Sequence, residues 1–190
     1  MTRIIAGAAK GRVLKVPGRG TRPTSDRVRE ALFSQLESLL GGLAGLAVLD
    51  LYAGSGALGL EAISRGASQA VLVDSGKAAL AAASVNTELV QQHLSTAKVR
   101  LLRAKVEKLL APGWQDQSFD LVFLDPPYEL SSQALDQVLG ALAQGHWLVD
   151  GATIVVERSN RAAGPVWPEG WEHLDQRVIG ETALHLARAA

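Results

Sequence analysis

From residue 46 onward the chain alternates short runs of Val, Leu and Ile with longer stretches whose apolar residues recur every third or fourth position. The runs cover residues 46–51, 70–73 (closing at Asp74), 98–102, 119–124 and 152–157. Amphipathic stretches at 57–65, 77–92 and 131–143 lie between them. Runs that are apolar at successive positions, rather than at alternate ones, belong to strands covered on both faces, hence to a parallel sheet under helices. Residues 172–179 and 182–188 form a last pair of strands turning at Gly180-Glu181. The expectation is an α/β fold, Rossmann-like, with a seven-stranded, mostly parallel sheet and a C-terminal antiparallel hairpin.

Upstream the pattern changes. Residues 2–6 and 12–16 are two strand-like segments joined by the Gly-containing stretch 7–11, which predicts a small N-terminal β-hairpin. Residues 17–23 are rich in Pro and Gly and read as a linker. Thr24 or Ser25 then caps a helix with Val28, Ala31, Leu32, Phe33, Leu36, Leu39 and Leu40 on its apolar side, stopped by Gly41-Gly42. The chain divides accordingly into a basic hairpin extension and linker, residues 1–22, and one α/β domain, residues 23–190. No repeat or low-complexity segment interrupts it.

Composition narrows the class. A chain of 190 residues with 47% hydrophobic content can bury one full core. The absence of cysteine excludes disulfides, thiolate metal sites and a cysteine nucleophile. His93, His146, His173 and His185 show no ligand spacing, so no metal is expected. No apolar run is long enough to span a membrane and the N-terminus has no apolar signal core, so a soluble, cytoplasmic protein is expected. The formal net charge of zero hides an asymmetry: residues 1–36 hold eight Lys/Arg against two acids, a net +6, and the remainder eleven against seventeen, a net −6. A basic arm on an acidic body suits a polyanion. Arg3, Lys10, Arg12, Arg19, Arg22 and Arg27 are its candidate phosphate contacts, with Arg29 also available near the helix start.

The candidate chemistry starts at Asp50. Residues 48–59 run from an apolar strand through a glycine turn, Gly54-x-Gly56-x-x-Gly59, into a helical pattern. Such a turn brings a nucleotide-like ligand against bare backbone at a helix N-terminus. The string fits a dinucleotide fingerprint, and Asp74 stands where a ribose would be held. A pyrophosphate, however, would be repelled by Asp50, whereas the ammonium and sulfonium of S-adenosylmethionine would be attracted. The cofactor residues read from this stretch are Asp50, Tyr52, Ala53, Gly54, Ser55, Gly56 and Asp74. Asp125-Pro126-Pro127-Tyr128 closes another strand. The Asp125 carboxylate and Pro126 carbonyl offer two acceptors to a planar amino group, and Tyr128 a ring on which a base can stack. Asp125, Pro126 and Tyr128 are therefore the candidate catalytic residues. Trp167 and Trp171 read as part of a packed loop over the sheet, Asn86 as a pin beside the cofactor, and Glu157 as a pocket lining or a close of the sheet.

Arg3-Ile4-Ile5-Ala6-Gly7, Lys10-Gly11-Arg12, Thr21-Arg22-Pro23-Thr24, Asp26 through Phe33, the loop from Asp50 to Glu61, Asn86 and Asp125 through Tyr128 together resemble the bacterial small-subunit ribosomal RNA guanine-N2-methyltransferases. The resemblance spans nearly the whole chain, and its specific part is the N-terminal block. It implies a Rossmann-like S-adenosylmethionine-dependent methyltransferase with an RNA-facing hairpin. The implied acceptor is the N2 amine of a guanine in 16S rRNA of the small ribosomal subunit or its late precursor, and a monomer is the expected state. Many methyltransferases place an acid after the third strand to meet the adenine amine; this chain has Arg103-Ala104-Lys105 there, which leaves that contact to the backbone. Three other readings stay open: an amino-methyltransferase on adenine or cytosine of DNA or other RNA, an NAD-binding oxidoreductase, and a non-catalytic RNA-binding assembly factor.

Overall fold

The computed structural model describes residues 2–17, 25–94, 96–111 and 117–190. Two short strands, β1 (Thr2–Arg3) and β2 (Val13–Leu14), pair antiparallel. Only two residues of each predicted segment are laddered, because the chain between them turns inward to meet a helix. Helix α1 (Asp26–Leu40) starts at Ser25, whose Oγ accepts from the Val28 N–H at 3.2 Å, and stops at Gly41 in the left-handed conformation, φ 70°. Its buried side holds Val28, Leu32, Phe33 and Leu36; Leu39, expected on that side, faces solvent. The alternative cap Thr24 and linker residues 18–23, with the cations Arg19 and Arg22, lie outside the described residues.

The doubly wound part follows in order: β3 (Ala47–Leu51), α2 (Ala57–Ser64), β4 (Gln69–Asp74), α3 (Lys77–Gln91), β5 (Lys98–Arg103), α4 (Val106–Leu109), β6 (Phe119–Leu124), α5 (Ser132–Gln144) and β7 (Leu148–Ser159). The antiparallel pair β8 (Glu172–Ile179) and β9 (Thr182–Arg188) closes the chain. The seven-stranded sheet runs β5-β4-β3-β6-β7-β9-β8, with the first five parallel and β9 antiparallel to both neighbours. This is the expected architecture. Two elements differ from the sequence reading. α4 was not foreseen, since four residues are too few to show a helical period. β7 begins earlier than expected, running through Asp150-Gly151 across a register shift opposite Phe119 and Leu121.

Alternation along the buried strands divides the core. Val48, Leu121, Phe123 and Val155 pack toward α1, α2 and α3. Leu49, Val122, Leu124, Ile154 and Val156 pack toward α4 and α5, with Trp147 and, at the margin, Trp167 and Trp171. The last two indoles stand 6.1 Å apart over this second layer. Arg65 at the end of α2 ties the first layer together: it donates to Glu61 and Glu37 and lies 4.9 Å from the centroid of Phe33.

The basic arm is built into this core rather than hung from it. Ile4, Ala9 and Leu14 belong to the same apolar cluster as α1 and α2. Buried Glu61 accepts from the Ile5 N–H at 2.7 Å and the Ala6 N–H at 3.0 Å. Ser64 Oγ donates to the Ala6 carbonyl and accepts from the Ala9 N–H, while its own carbonyl accepts from the Ala8 N–H. Gly7, at φ 81°, passes so close that an added Cβ would lie 1.8 Å from the Ser64 carbonyl oxygen. Only glycine fits there.

Candidate active site and nucleic-acid interface

The chain moves outward from β3 through β4 to β5, then crosses back to β6 on the other side. At such a switch point the flanking helices depart on opposite faces and leave a crevice at the carboxyl ends of the strands. A cavity of about 690 Å³ fills it, lined by Asp50, Tyr52, Ala53, Gly54, Ser55, Asp74, Asp125, Pro126 and Tyr128 among others. All the sequence-predicted cofactor and catalytic residues thus meet at one cavity, except Gly56. Gly56 stands at the N-cap of α2 with φ 79°, and its missing side chain makes room for Leu72 and Leu60 of the protein itself. Gly54, φ 56°, differs again: an added Cβ would meet no protein atom, so glycine there supplies a left-handed turn and bare backbone on the cavity wall.

Asp50 is buried, and its Oδ2 accepts from the Gly59 N–H at 2.9 Å, within the first turn of α2. Since Gly56 offers no side-chain cap, this carboxylate from the adjacent strand takes that place. Its Oδ1 is buried without a hydrogen-bond partner. Burial pushes the carboxyl up to about 7, the Gly59 amide opposes that shift, and the nearby Asp74 charge adds to it. Glycine at 59 lets α2 pass close to two side chains, since an added Cβ would lie 2.3 Å from Leu72 Cδ2 and 3.2 Å from Asp50 Oδ2.

Asp74 ends β4 with both oxygens oriented by main-chain amides, Gly54 N–H at 2.9 Å and Gly76 N–H at 2.7 Å. Each oxygen keeps a further lone pair for a ligand hydroxyl. Tyr52 adopts φ 61°, a left-handed conformation uncommon for a non-glycine residue, and donates its hydroxyl to Glu107 at 3.1 Å. Burial, then the Glu107 charge, raises the Tyr52 hydroxyl well above the ordinary phenol range. In the stretch 103–105, the Ala104 N–H is spent on the Asp74 carbonyl. The acid lining that end of the cavity is Glu107, three residues further along in α4. Sequence reasoning missed it with α4.

Asp125 follows β6 directly, half-buried, its N–H directed at the Leu51 carbonyl of β3 at 3.5 Å. Pro126 is buried beneath it, and Tyr128 stands at the mouth with 67% of its surface exposed. The loop is fastened from β7: Arg158, almost fully buried, donates to the Leu130 carbonyl at 3.0 Å. Nothing in the local sequence marks Arg158, since its partner is a carbonyl 28 residues away.

Asn86 joins the arm to the glycine turn. Its Oδ1 accepts from the Lys15 N–H at 2.7 Å, and its Nδ2 donates to the Lys15 carbonyl at 2.8 Å and the Ser55 carbonyl at 2.9 Å. Val16 and Pro17, next in the chain, line the cavity, so the arm leads to its rim. Lys10 and Arg12 are exposed on the hairpin; Arg3 is exposed and paired with Asp26 at 3.2 Å; Arg27 is exposed and lines the cavity. Arg29 departs from the sequence reading. It is fully buried, donating to the Arg3 carbonyl and to Asp26 at 2.6 Å, and serves the docking of the arm instead of a phosphate. Among the described residues no cluster of three or more His, Asp or Glu side chains is arranged to hold a metal, and no helix is long and apolar enough to cross a membrane.

A family model described as conserved hypothetical protein 95 matches residues 2–188. The chain is 36% identical over 188 residues to Ribosomal RNA small subunit methyltransferase D of Escherichia coli strain K12, covering 97% of this chain and 88% of that protein. It is 34% identical over 185 residues to the protein of the same name in Haemophilus influenzae, covering 97% and 92%. The solved structure of yhhF from Escherichia coli, a proposed methyltransferase, superimposes with a TM-score of 0.82 at 33% identity, covering 99% of this chain and 97% of that one.

Proposed function

The chain belongs to the conserved hypothetical protein 95 family, and from that premise we propose that it transfers a methyl group from S-adenosylmethionine to the exocyclic N2 amine of a guanine in 16S rRNA of the small ribosomal subunit. The observation that carries the reading is the convergence of Asp50, Asp74 and the Asp125–Tyr128 segment on one cavity at the switch point of the sheet.

The residues present fit the cofactor. The unpartnered, buried Oδ1 of Asp50 calls for a cationic neighbour, such as the ammonium of the amino-acid end. Asp74, held by two amides, presents acceptors for the ribose hydroxyls. Gly54 gives open backbone, and Glu107 an acid at the adenine end. When bound, the cofactor supplies a methyl group already activated on a sulfonium. The dinucleotide reading suits the site less well, because the Asp50 carboxylate occupies the α2 N-terminus on which a pyrophosphate would rest.

The protein's own part is placement. Tyr128, at the mouth, takes the face of a base swung out of its stack. Asp125 and the Pro126 carbonyl accept the two N2 hydrogens, drawing the nitrogen lone pair out of the ring and toward the methyl carbon. Asp125, hydrogen-bonded to N2, would take the proton that the methylated nitrogen must lose and pass it to solvent. The exposed cations Lys10, Arg12 and Arg27, with Arg3, Arg19 and Arg22, hold the RNA backbone, with residues 1–22 as the RNA-facing segment and 23–190 as the catalytic domain. We assign the protein to the cytoplasm, acting as a monomer on the subunit or its late precursor.

The test is transfer of labelled methyl to unmethylated small subunits, protein-free rRNA and duplex DNA in parallel. Label in rRNA or subunits, recovered as N2-methylguanosine, is the expected result. Label in DNA would replace this reading with a DNA amino-methyltransferase. Binding to rRNA without transfer to any acceptor would replace it with an assembly factor.

A further inference from the structure

Glu157, on the strand beside the one that carries Asp125 into the site, lines the same cavity. Strands β6 and β7 are parallel neighbours in register, Phe123 beside Val155 and Leu124 beside Val156, the last pair of the ladder; Asp125 and Glu157 follow directly, and the register carried one step further brings them side by side. The facing also agrees. Phe123 and Val155 pack into one core layer and Leu124 and Val156 into the other, so the alternation brings Asp125 and Glu157 out on the same side of the sheet. Adjacent strands are about 4.8 Å apart. Both residues line the cavity.

Two acid side chains side by side match one base edge. Guanine presents N1–H next to N2–H₂, two donor groups in a row. Adenine presents N6–H₂ next to N1, and cytosine N4–H₂ next to N3, each a donor followed by a lone pair. A carboxylate is acceptor-only and has about four lone-pair directions, so other bonds to it leave room for N1–H. Against adenine or cytosine the same carboxylate would face a lone pair, an arrangement that rejects the wrong base. We propose that Glu157 accepts the N1–H of the target guanine while Asp125 takes N2, and is the residue by which the site selects guanine. This deepens, and rests on, the guanine-N2 reading above.

The experiment compares wild type with Glu157→Gln, Glu157→Ala and Glu157→Asp on unmethylated small subunits, scoring methylated nucleosides by mass spectrometry and S-adenosylmethionine affinity by calorimetry. The expected result is a fall of about 10- to 100-fold in kcat/KM for N2-methylguanosine in the Gln and Ala variants. Cofactor affinity stays unchanged, Asp restores part of the rate, and the share of methyladenosine rises in Glu157→Gln, whose amide can donate to adenine N1. If wild type forms N2-methylguanosine and Glu157→Gln forms it equally well, Glu157 does not read the base, while the guanine-N2 activity stands. Loss of cofactor binding in the isosteric Gln variant would also overturn the inference, by showing a structural role. If wild type forms no N2-methylguanosine, the function itself fails and this inference goes with it.

Discussion

Asn86 holds Lys15 by both its main-chain N–H and its carbonyl, at 2.7 and 2.8 Å, and with the same side chain holds the Ser55 carbonyl of the glycine turn. One buried amide therefore fastens the basic arm to the cofactor loop. Replacing it with alanine leaves three main-chain groups without their partner. The expected cost is roughly 2–3 kcal/mol, about 5–10 °C in Tm. Cofactor affinity should weaken together with RNA affinity. Calorimetry with each ligand, beside a thermal melt, checks this; a variant that melts early yet binds both ligands normally would separate the anchor from the sites.

Asp50 predicts a pH dependence with a definite sign. Between the ordinary carboxyl value of 3.8 and about 7, the folded protein retains a proton that the unfolded chain has released. Stability of the ligand-free protein therefore falls as pH rises through that window. A cationic ligand favours the ionised form, so S-adenosylmethionine affinity should tighten by up to about tenfold per pH unit up to pH 7 and then level off. Asp50→Asn should flatten both trends and weaken binding at pH 8. Titration calorimetry and thermal melts across pH 5.5 to 8 give the comparison, and an unchanged pH profile in the variant would remove Asp50 from cofactor binding.

Asp125→Ala should lower the rate of methyl transfer by about 100- to 1,000-fold while leaving RNA and cofactor binding intact. Single-turnover transfer under saturating ligands reads the effect directly. Normal turnover in this variant would refute the placement mechanism.

Charge reversal at Arg12 or Arg22 should weaken rRNA binding and reduce the slope of log affinity against log salt by about 0.7–1 per lost phosphate contact. Glu61→Gln tests the other side of the arm. It removes the charge that two arm amides and Arg65 share, so it should loosen the hairpin. Amide exchange at Ile5 and Ala6 should accelerate while the β3–β6 core stays protected.

The strands and the three aspartates were legible because each is local. In β3, β4 and β6 four apolar residues in succession announce a doubly covered strand, and an acid at its end, beside a glycine turn, announces a ligand edge. Glu61, Ser64 and Arg158 were not legible as anchors, and Asn86 was legible only as a pin beside the cofactor, not as the anchor of the arm. Each binds main-chain atoms between 28 and 71 residues distant, and a main-chain partner leaves no side-chain signature. Arg29 misled because a basic residue in the first turn of a helix looks solvated; its burial depends on the arm folding back over it. Glu107 was hidden in a helix of four residues, and the early part of β7 behind Asp150-Gly151, which resembles a turn.

The docking of the arm has an evolutionary side. What α2 and α3 grip is almost entirely main chain: the amides of Ile5, Ala6, Ala8 and Ala9, the carbonyl of Ala6, and both groups of Lys15. Apart from the buried Thr2, Ile4, Ala9 and Leu14, the Arg3–Asp26 ion pair and the close approach at Gly7, the attachment is indifferent to which side chains the hairpin carries. The outward positions Lys10 and Arg12 can then drift to suit a different RNA surface without loosening the segment that presents them. The grip is constrained and the reading surface is free to diversify, so a shared scaffold can serve lineages whose substrates have changed.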